Sequence, residues 1–281
     1  MKDQIKIELH SHTYHSHQSK VFYDGTCPPQ DMVKTASQLG LGAIAITDHD
    51  SLRGAQEARK FAKKHNIIVI PGEEVTTADG HCLALGIQEV VRPGMPIEET
   101  LDNIHQQGGI AISSHPFDIK HDGLREKSRL CDALEAFNAL NLDRLANIKA
   151  ARFAAENKIP GTAGSDAHHT TMIGHGNIIA NAHDQDSILK AIKKNKFQLA
   201  TKYPSVKTVM NYAVLRLKMS YDFTSDYIEN NYSFPKRQIA KNLLGMVNRS
   251  PGKIDYIFKG MAYMSFAGIL TYSAAKHAIG K

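Results

Sequence analysis

Little in this sequence supports disulfide chemistry, a membrane span or low-complexity disorder. Only three cysteines are present, Cys27, Cys82 and Cys131. Odd in number and far apart, they fit reduced thiols better than a disulfide framework, and none has the paired spacing of a zinc knuckle. No uninterrupted run approaches the ~20 apolar residues that cross a bilayer. The opening MKDQIKIELHS lacks the apolar core of a signal peptide, so a cytoplasmic location is the default expectation. There is no internal repeat and no low-complexity segment, and the 42% apolar and 22% charged content suits a soluble globular protein. With 281 residues, one large α/β domain is within reach, since barrel folds typically take about 250 residues.

The net charge of +6 hides an asymmetry. Residues 1–200 carry 22 Lys and Arg against 24 Asp and Glu, a net of −2, whereas residues 201–281 carry 12 against 4, a net of +8. The second stretch also holds 12 of the 20 Phe and Tyr. Basicity therefore belongs to the tail and says little about the first 200 residues.

The chemistry-bearing side chains begin at Ile5–His17, IKIELHSHTYHSH. Alternation of Ile5, Ile7 and Leu9 with polar neighbours reads as a strand, in which residues i and i+2 share a face. His10 and His12 therefore point the same way, and two imidazoles side by side at a strand end can serve one cation. Helices are expected over residues 29–39, 51–65, 96–107, 143–157 and 186–195, with Pro29 near the first turn and Gly40 beyond the end of the first, and Ser51 or Asp50 capping the second. Between them lie apolar runs that read as buried strands: LGAIAI before Asp48, His49 and Asp50; IIVIP before Glu73 and Glu74; GIAIS before His115; ALEAFN; and IPGTAG before Asp166, His168 and His169. HCLALGI has His81 at its start, which suggests a strand running back or a short hairpin with VTTADG as the turn.

Strands alternating with helices argue for βαβ units, and about seven of them argue for a closed barrel. The candidate ligands cluster just past strand ends, where barrel enzymes build their sites. An open sheet offers one switch point and would not easily gather ligands from five strand ends. The donors outnumber what one cation can use. Their mixture of imidazole and carboxylate suits zinc, manganese or iron(II) better than magnesium or calcium, and a carboxylate such as Glu74 or Asp166 can bridge two ions.

HSHTYHSH, ITDHD, PGEE, SSHP and GSDAH, in this order over residues 5 to about 200, resemble the motifs of the polymerase and histidinol phosphatase (PHP) family of metal-dependent phosphoesterases. The resemblance implies a distorted (β/α)7 barrel, similar to a TIM barrel, with two or three divalent metal ions. By the same resemblance His10, His12, Glu74 and Asp166 would hold the first ion; Glu74, His115 and His81 the second; and His17, His49 and His168 the third. The family often has Asp where this chain has His17, which puts that third position in question. Glu73 would turn to the other side of its strand, and Asp48 would orient a ligand imidazole.

Two close cations lower the pKa of a shared water and clamp the oxygens of an in-line displacement, and phosphate esters are the substrates that most need such a clamp. The expected activity is hydrolysis of a phosphomonoester or phosphodiester, on a small phosphorylated molecule or nucleotide, with metal-activated water as nucleophile. Asp50 or His169 would protonate the leaving oxygen. Arg53, Lys120, His121 and Arg125 are the candidate phosphate-binding groups. Residues 1–200 form the expected barrel domain and residues 201–281 a mostly helical extension, with helices over 206–218 and 254–277 separated by the break NRSPG. Its uncharged stretch GMAYMSFAGILTYSAA suits a helix packed on the barrel or on another subunit, and its basic and aromatic residues also suit single-stranded nucleic acid. Two other readings remain at this level, a nuclease acting on RNA or DNA ends and a non-catalytic metal-binding module. The second is disfavoured because nearly the whole ligand set is present.

Overall fold

The computed structural model describes residues 4–278. Among them, nine strands make one mixed sheet: β1 (Gln4–Glu8), β2 (Ala43–Ile46), β3 (Ile68–Thr76), β4 (His81–Leu85), β5 (Ile110–Ser113), β6 (Ala133–Asn138), β7 (Gly161–Gly164), β8 (Gly176–Asn181) and β9 (Gln198–Thr201). Their order is β7-β6-β5-β4-β3-β2-β1-β8-β9. β1, β2 and β3 run parallel, as do β5, β6 and β7. β4 is antiparallel to both neighbours, and β8 is antiparallel to β1 and β9. These reversals distort the expected barrel. Because β4 runs backwards, its first residue, His81, lies at the end where the parallel strands finish.

The sheet curls until its ends nearly meet. Beyond β1 and β7 the chain continues in a short parallel seam, with Ser11 opposite Ala167. His12 N–H donates to Ala167 O at 2.8 Å and Ala167 N–H to His10 O at 3.2 Å. Glu8 reinforces the seam by accepting from the backbone N–H groups of Ser165 and Gly174 at 3.0 and 3.1 Å. Inside, Ile7, Leu9, Ile70, Leu83, Leu85, Ile112 and Ile178 form the central core, all with at most 1% exposure.

Helices α1 (Pro29–Gln38), α2 (Arg53–His65), α3 (Ile97–Gln106), α4 (Arg144–Asn157) and α5 (Gln185–Lys193) cover the sheet, and their ends follow local rules. Pro29 opens α1 and Gly40, at φ +74°, follows its end, where a left-handed turn favours glycine. Asp143 accepts from Leu145 N–H to cap α4, and Asp184 with Ser187 forms a capping box on α5. At the start of α2 the cap position falls on Leu52; of the two expected side chains, Ser51 Oγ accepts from Arg53 N–H at 3.3 Å, whereas the Asp50 carboxylate turns to Thr76 N–H at 2.7 Å. The remaining helices are α6 (Val206–Met219), α7 (Tyr221–Asn231), α8 (Lys236–Val247) and α9 (Ile254–Ala278). NRSPG separates α8 from α9. No helix among the described residues is long and apolar enough to cross a membrane.

One core carboxyl yields a stability prediction. Glu73 lies on β3 with no exposure, its Oε1 accepting from Val91 N–H at 2.6 Å and its Oε2 without a partner. Burial pushes its pKa up to about 8 from an ordinary 4.5, against the Val91 hydrogen bond. Folding therefore favours the protonated form. The resulting stability is complete below the ordinary value and is lost as pH rises through the folded one, with a slope of up to about 1.4 kcal/mol per pH unit. Glu73→Gln should flatten this part of the profile. The check is the difference in urea midpoint between the two proteins at pH 5 and pH 9, which should shift toward the variant at the higher pH.

Candidate metal centre

The ends of β1, β2, β3, β5 and β7, with the start of β4, surround one polar pocket of about 340 Å³. At its floor His10 and His12 are completely buried. Their Nε2 atoms approach each other to 3.0 Å, and His10 Nε2 is also 3.3 Å from Glu74 Oε2 and 3.5 Å from Asp166 Oδ1. His12 Nε2 is 3.4 and 3.3 Å from the same two oxygens. Glu74 divides its oxygens: Oε2 faces His10, His12 and, at 3.5 Å, His49 Nε2, while Oε1 lies 2.9 Å from His115 Nε2 and 3.4 Å from His81 Nδ1. A third cluster joins His12, Asp24 and His168, with His168 Nε2 at 2.8 Å and His49 Nε2 at 3.6 Å from Asp24 Oδ2.

The donor chemistry fits divalent cations. Four overlapping triads, His10–His12–Asp166, His12–His49–Glu74, His12–Asp24–His168 and Glu74–His81–His115, place their ligand atoms within 4.8 Å of one another. The His81 Nδ1 is buried without a hydrogen bond, an orphaned atom that costs free energy unless it meets a cation or a donor. Without ions the cluster depends on shared protons. Burial opposes a proton on His10, yet Asp166, Glu135 and Glu74 outweigh it and raise its pKa well above the usual range. His12 is raised to about 10 against its burial by Asp166 and Glu74, and His115 to about 9 by Glu74. His49 goes the other way, to about 4, because burial dominates. Glu74 and Asp166 overcome their own burial and are held well below the carboxylate range, His10 making the largest opposing contribution to each. Cations would displace these protons, so ion binding should release protons near neutral pH.

The ligand atoms are held from behind. Glu135, in the middle of β6, takes His10 Nδ1 at 2.9 Å through Oε1, and accepts from His115 N–H and Asn138 Nδ2 at 2.9 Å each through Oε2. With the His10 proton on Nδ1, its Nε2 lone pair faces the pocket. Gly164 makes room for this carboxylate, since a Cβ there would sit 2.0 Å from Glu135 Oε1. Glu135→Gln should lower ion affinity by about 10- to 100-fold, the usual cost of losing a group that orients a ligand histidine. Titration of metal-free protein with a competing chelator measures it.

The geometry brings together His10, His12, His49, Glu74, His81, His115, Asp166 and His168. It corrects the expectation for His17. After Ser16 the chain turns into a small hairpin in which His17 pairs with Tyr23 and its exposed ring stacks on Phe22, with centroids 4.2 Å apart. The returning arm delivers Asp24, almost fully buried, in its place. The signal was present, because Asp24 is the lone carboxylate of the loop from Tyr14 to Pro29.

The groups expected to protonate the leaving oxygen do not line the pocket. Asp50 is tied to Thr76 N–H, and the His169 ring is bonded to Thr171, with Nδ1 2.9 Å from its Oγ1. Asp48 holds the loop after β1 rather than an imidazole, accepting from Thr13 N–H and Oγ1–H at 2.5 and 2.8 Å. Among the candidate phosphate-binding groups, Lys120 lines the pocket. Arg53 is exposed at the start of α2, and Arg125 turns to His121 Nδ1 at 2.5 Å; neither lines the pocket.

A cation that sequence spacing does not reveal comes from α6. Arg216 Nη2 lies 2.9 Å from Asp24 Oδ1, and its Nε donates to Tyr23 O at 2.8 Å. One turn earlier, Tyr212 O–H donates to Asp24 O at 2.9 Å.

Comparisons with known proteins agree with this architecture. Residues 144–197 match the PHP-associated family model, PHP_C. An uncharacterized protein of Methanocaldococcus jannaschii is 35% identical over 149 residues, covering 51% of this chain and 87% of that protein. A DNA polymerase III of PolC type from Oceanobacillus iheyensis is 36% identical over 78 residues, 28% of this chain and only 5% of the polymerase. Among solved structures, a Bacteroides vulgatus two-domain protein containing a predicted PHP-like metal-dependent phosphoesterase superposes with a TM-score of 0.59 at 18% identity. It is matched over 70% of this chain and 65% of its own length, just under two thirds. PsfC of Pseudomonas syringae gives 0.55 at 16% identity, over 77% of this chain and 99% of PsfC. At such identities the likeness of the structures is one of fold.

Proposed function

Because the chain belongs to the PHP family, we propose that it is a metal-dependent phosphoesterase, a hydrolase acting on a small phosphorylated molecule. The observation that carries this reading is Glu74, whose two oxygens face two different sets of imidazoles beneath a pocket that also holds Arg216 and Lys120. His10, His12, Asp166 and Glu74 would hold one ion, and Glu74, His81 and His115 a second. Asp24 and His168, with His12 or His49, would hold a third. Manganese, zinc or iron(II) suits these donors. When bound, such ions supply positive charge to phosphate oxygens and acidify water.

The chain's own residues do the positioning. Glu135 fixes the His10 ring through its Nδ1 proton and keeps the opposite nitrogen facing the pocket. Arg216 and Lys120 are the permanent cations of the lining, suited to the outer oxygens of a phosphate; the planar fork of Arg216 is held through Nε and Nη2 by Tyr23 and Asp24, which leaves Nη1 to meet a phosphate oxygen. The Asn138 side chain donates to Glu135 Oε2 and, at 3.2 Å, to Asp166 Oδ2, which locks the two carboxylates together.

The test is purified protein loaded separately with manganese, zinc and iron(II). It would be offered an aryl phosphate, an aryl phosphodiester, mononucleotides and a short labelled RNA. Hydrolysis of a small ester supports the proposal. No hydrolysis of any substrate with any metal contradicts it, and cleavage of RNA alone redirects it to a nuclease.

A further inference from the structure

Beside the metal pocket lies a second cavity of quite different chemistry. It has a volume of about 650 Å³ and is enclosed by α6 to α9 and the segment leading into α4. Its lining includes Met210, Leu217, Leu243, Phe258 and Met261, and contains no acidic residue. The volume falls in the range of about 300–1,000 Å³ typical of ligand sites. The two cavities share a wall: Asn141 and Leu142 line both. Two helices serve both as well. α6 turns Tyr212 and Arg216 to the metal side and Met210, Ala213 and Leu217 to the apolar side, while α9 gives Phe266 to the apolar cavity and Ile269 to the metal pocket.

We propose that this cavity is a hydrocarbon-binding site holding the alkyl or prenyl chain of the phosphate ester, so that the substrate class is a phosphorylated amphiphile. The assignment of a substrate rests on the phosphoesterase reading; the hydrocarbon site itself does not. Three observations converge on this occupant. Polar and apolar cavities abut, as the two ends of an amphiphile require. The charged residues of the apolar lining are Lys20 and Arg144 alone, which tolerate an anionic head group and would repel no part of it. The Arg144 guanidinium lies over the Tyr203 and Phe266 rings, 4.5 and 5.5 Å from their centroids, so its charge is satisfied on aromatic faces. In the reaction the oxygen of water bonds to phosphorus and the bond from phosphorus to the alkoxy oxygen breaks. One proton of the water passes to the departing long-chain alcohol, and the other remains with the phosphate.

The experiment uses the full chain in two arms. In the first, manganese-loaded protein hydrolyses an alkyl phosphate series from ethyl to dodecyl. The expected kcat/KM rises by up to about fourfold per added methylene, the gain for burying one, and exceeds a hundredfold across the series. Ala213→Phe and Ala262→Phe, which narrow the cavity, should collapse that ratio, with manganese content equal to wild type serving as the control for folding. In the second arm, metal-free protein is titrated calorimetrically with dodecanol, which needs no turnover, and one equivalent is expected to bind. Dodecanol binding with no ester hydrolysed upholds the hydrocarbon site and overturns the phosphoesterase reading. Equal turnover of ethyl and dodecyl phosphate with no dodecanol bound overturns the hydrocarbon site and leaves the phosphoesterase reading standing. A dimer in solution that buries α9 and binds no dodecanol also overturns the site, since the occupant is then a second copy.

Discussion

Glu74→Gln is expected to lower kcat/KM for a phosphate ester by about a thousandfold or more and to remove bound ions in the same step. Its two oxygens are shared between His10, His12 and His49 on one side and His81 and His115 on the other. An amide keeps the shape but carries no charge, so the His81 and His115 side loses the one carboxylate of its triad and the His10 and His12 side is left with Asp166 alone. Losing a group that merely orients a ligand costs about 10- to 100-fold, and removal of a shared ligand should exceed that. Elemental analysis should show fewer ions per chain, while circular dichroism reports an intact fold. Activity and ion content both at wild-type level would disprove the bridging role.

The second large effect concerns the helical tail. Arg216→Ala leaves Asp24, whose side chain is 1% exposed, without its guanidinium partner. Breaking a buried pair on one side costs about 3–5 kcal/mol, and somewhat less is expected here because the arginine is 21% exposed. The metal-free variant should therefore unfold at lower urea concentration than wild type. Added manganese should narrow the gap, because an ion at Asp24 and His168 takes over the role of partner. KM for an aryl phosphate should rise about tenfold or more, since a charge-assisted contact to the phosphate is lost. Arg216→Lys should restore charge but only part of the affinity, for lysine lacks the planar fork. An unchanged KM in the alanine variant would remove Arg216 from substrate binding.

Much of the barrel was legible because its cause is local. Apolar runs such as AIAI and IAIS followed by a ligand could be placed on strands without knowing their neighbours, and the reversed position of His81 within HCLAL already implied the antiparallel β4. The five motifs contain most of the histidines and carboxylates that converge on the pocket. What remained hidden depends on nonlocal geometry. Asp24 reaches the cluster only because a hairpin folds back and turns His17 away. Arg216 and Tyr212 arrive from α6, about 190 residues from their partners, and no spacing rule spans that distance. Glu135 was intermediate: a carboxylate inside an apolar strand is a visible anomaly, but which imidazole it serves appears only when closure of the sheet brings the end of β1 to β6. Asp50 and His169 were misread because proximity in sequence to ligands does not fix where a side chain turns.

The seam between Ser11 and Ala167 also bears on how the chain reaches its native state. His10 and His12 come from the start of the chain and Asp166 and His168 from more than 150 residues later, so the first ion site does not exist until those segments have met. Closing so long a loop is an entropic cost met late in folding, before the contacts it permits can reward it. An ion held by His10, His12 and Asp166 would consequently select the closed barrel over forms in which this seam is still open, whereas Glu74, His81 and His115 lie on or just past the adjacent strands β3, β4 and β5 and do not depend on it. In refolding from urea, manganese should leave the early phases unchanged and slow the unfolding limb of the chevron, making the ion a kinetic latch on the finished ring of strands.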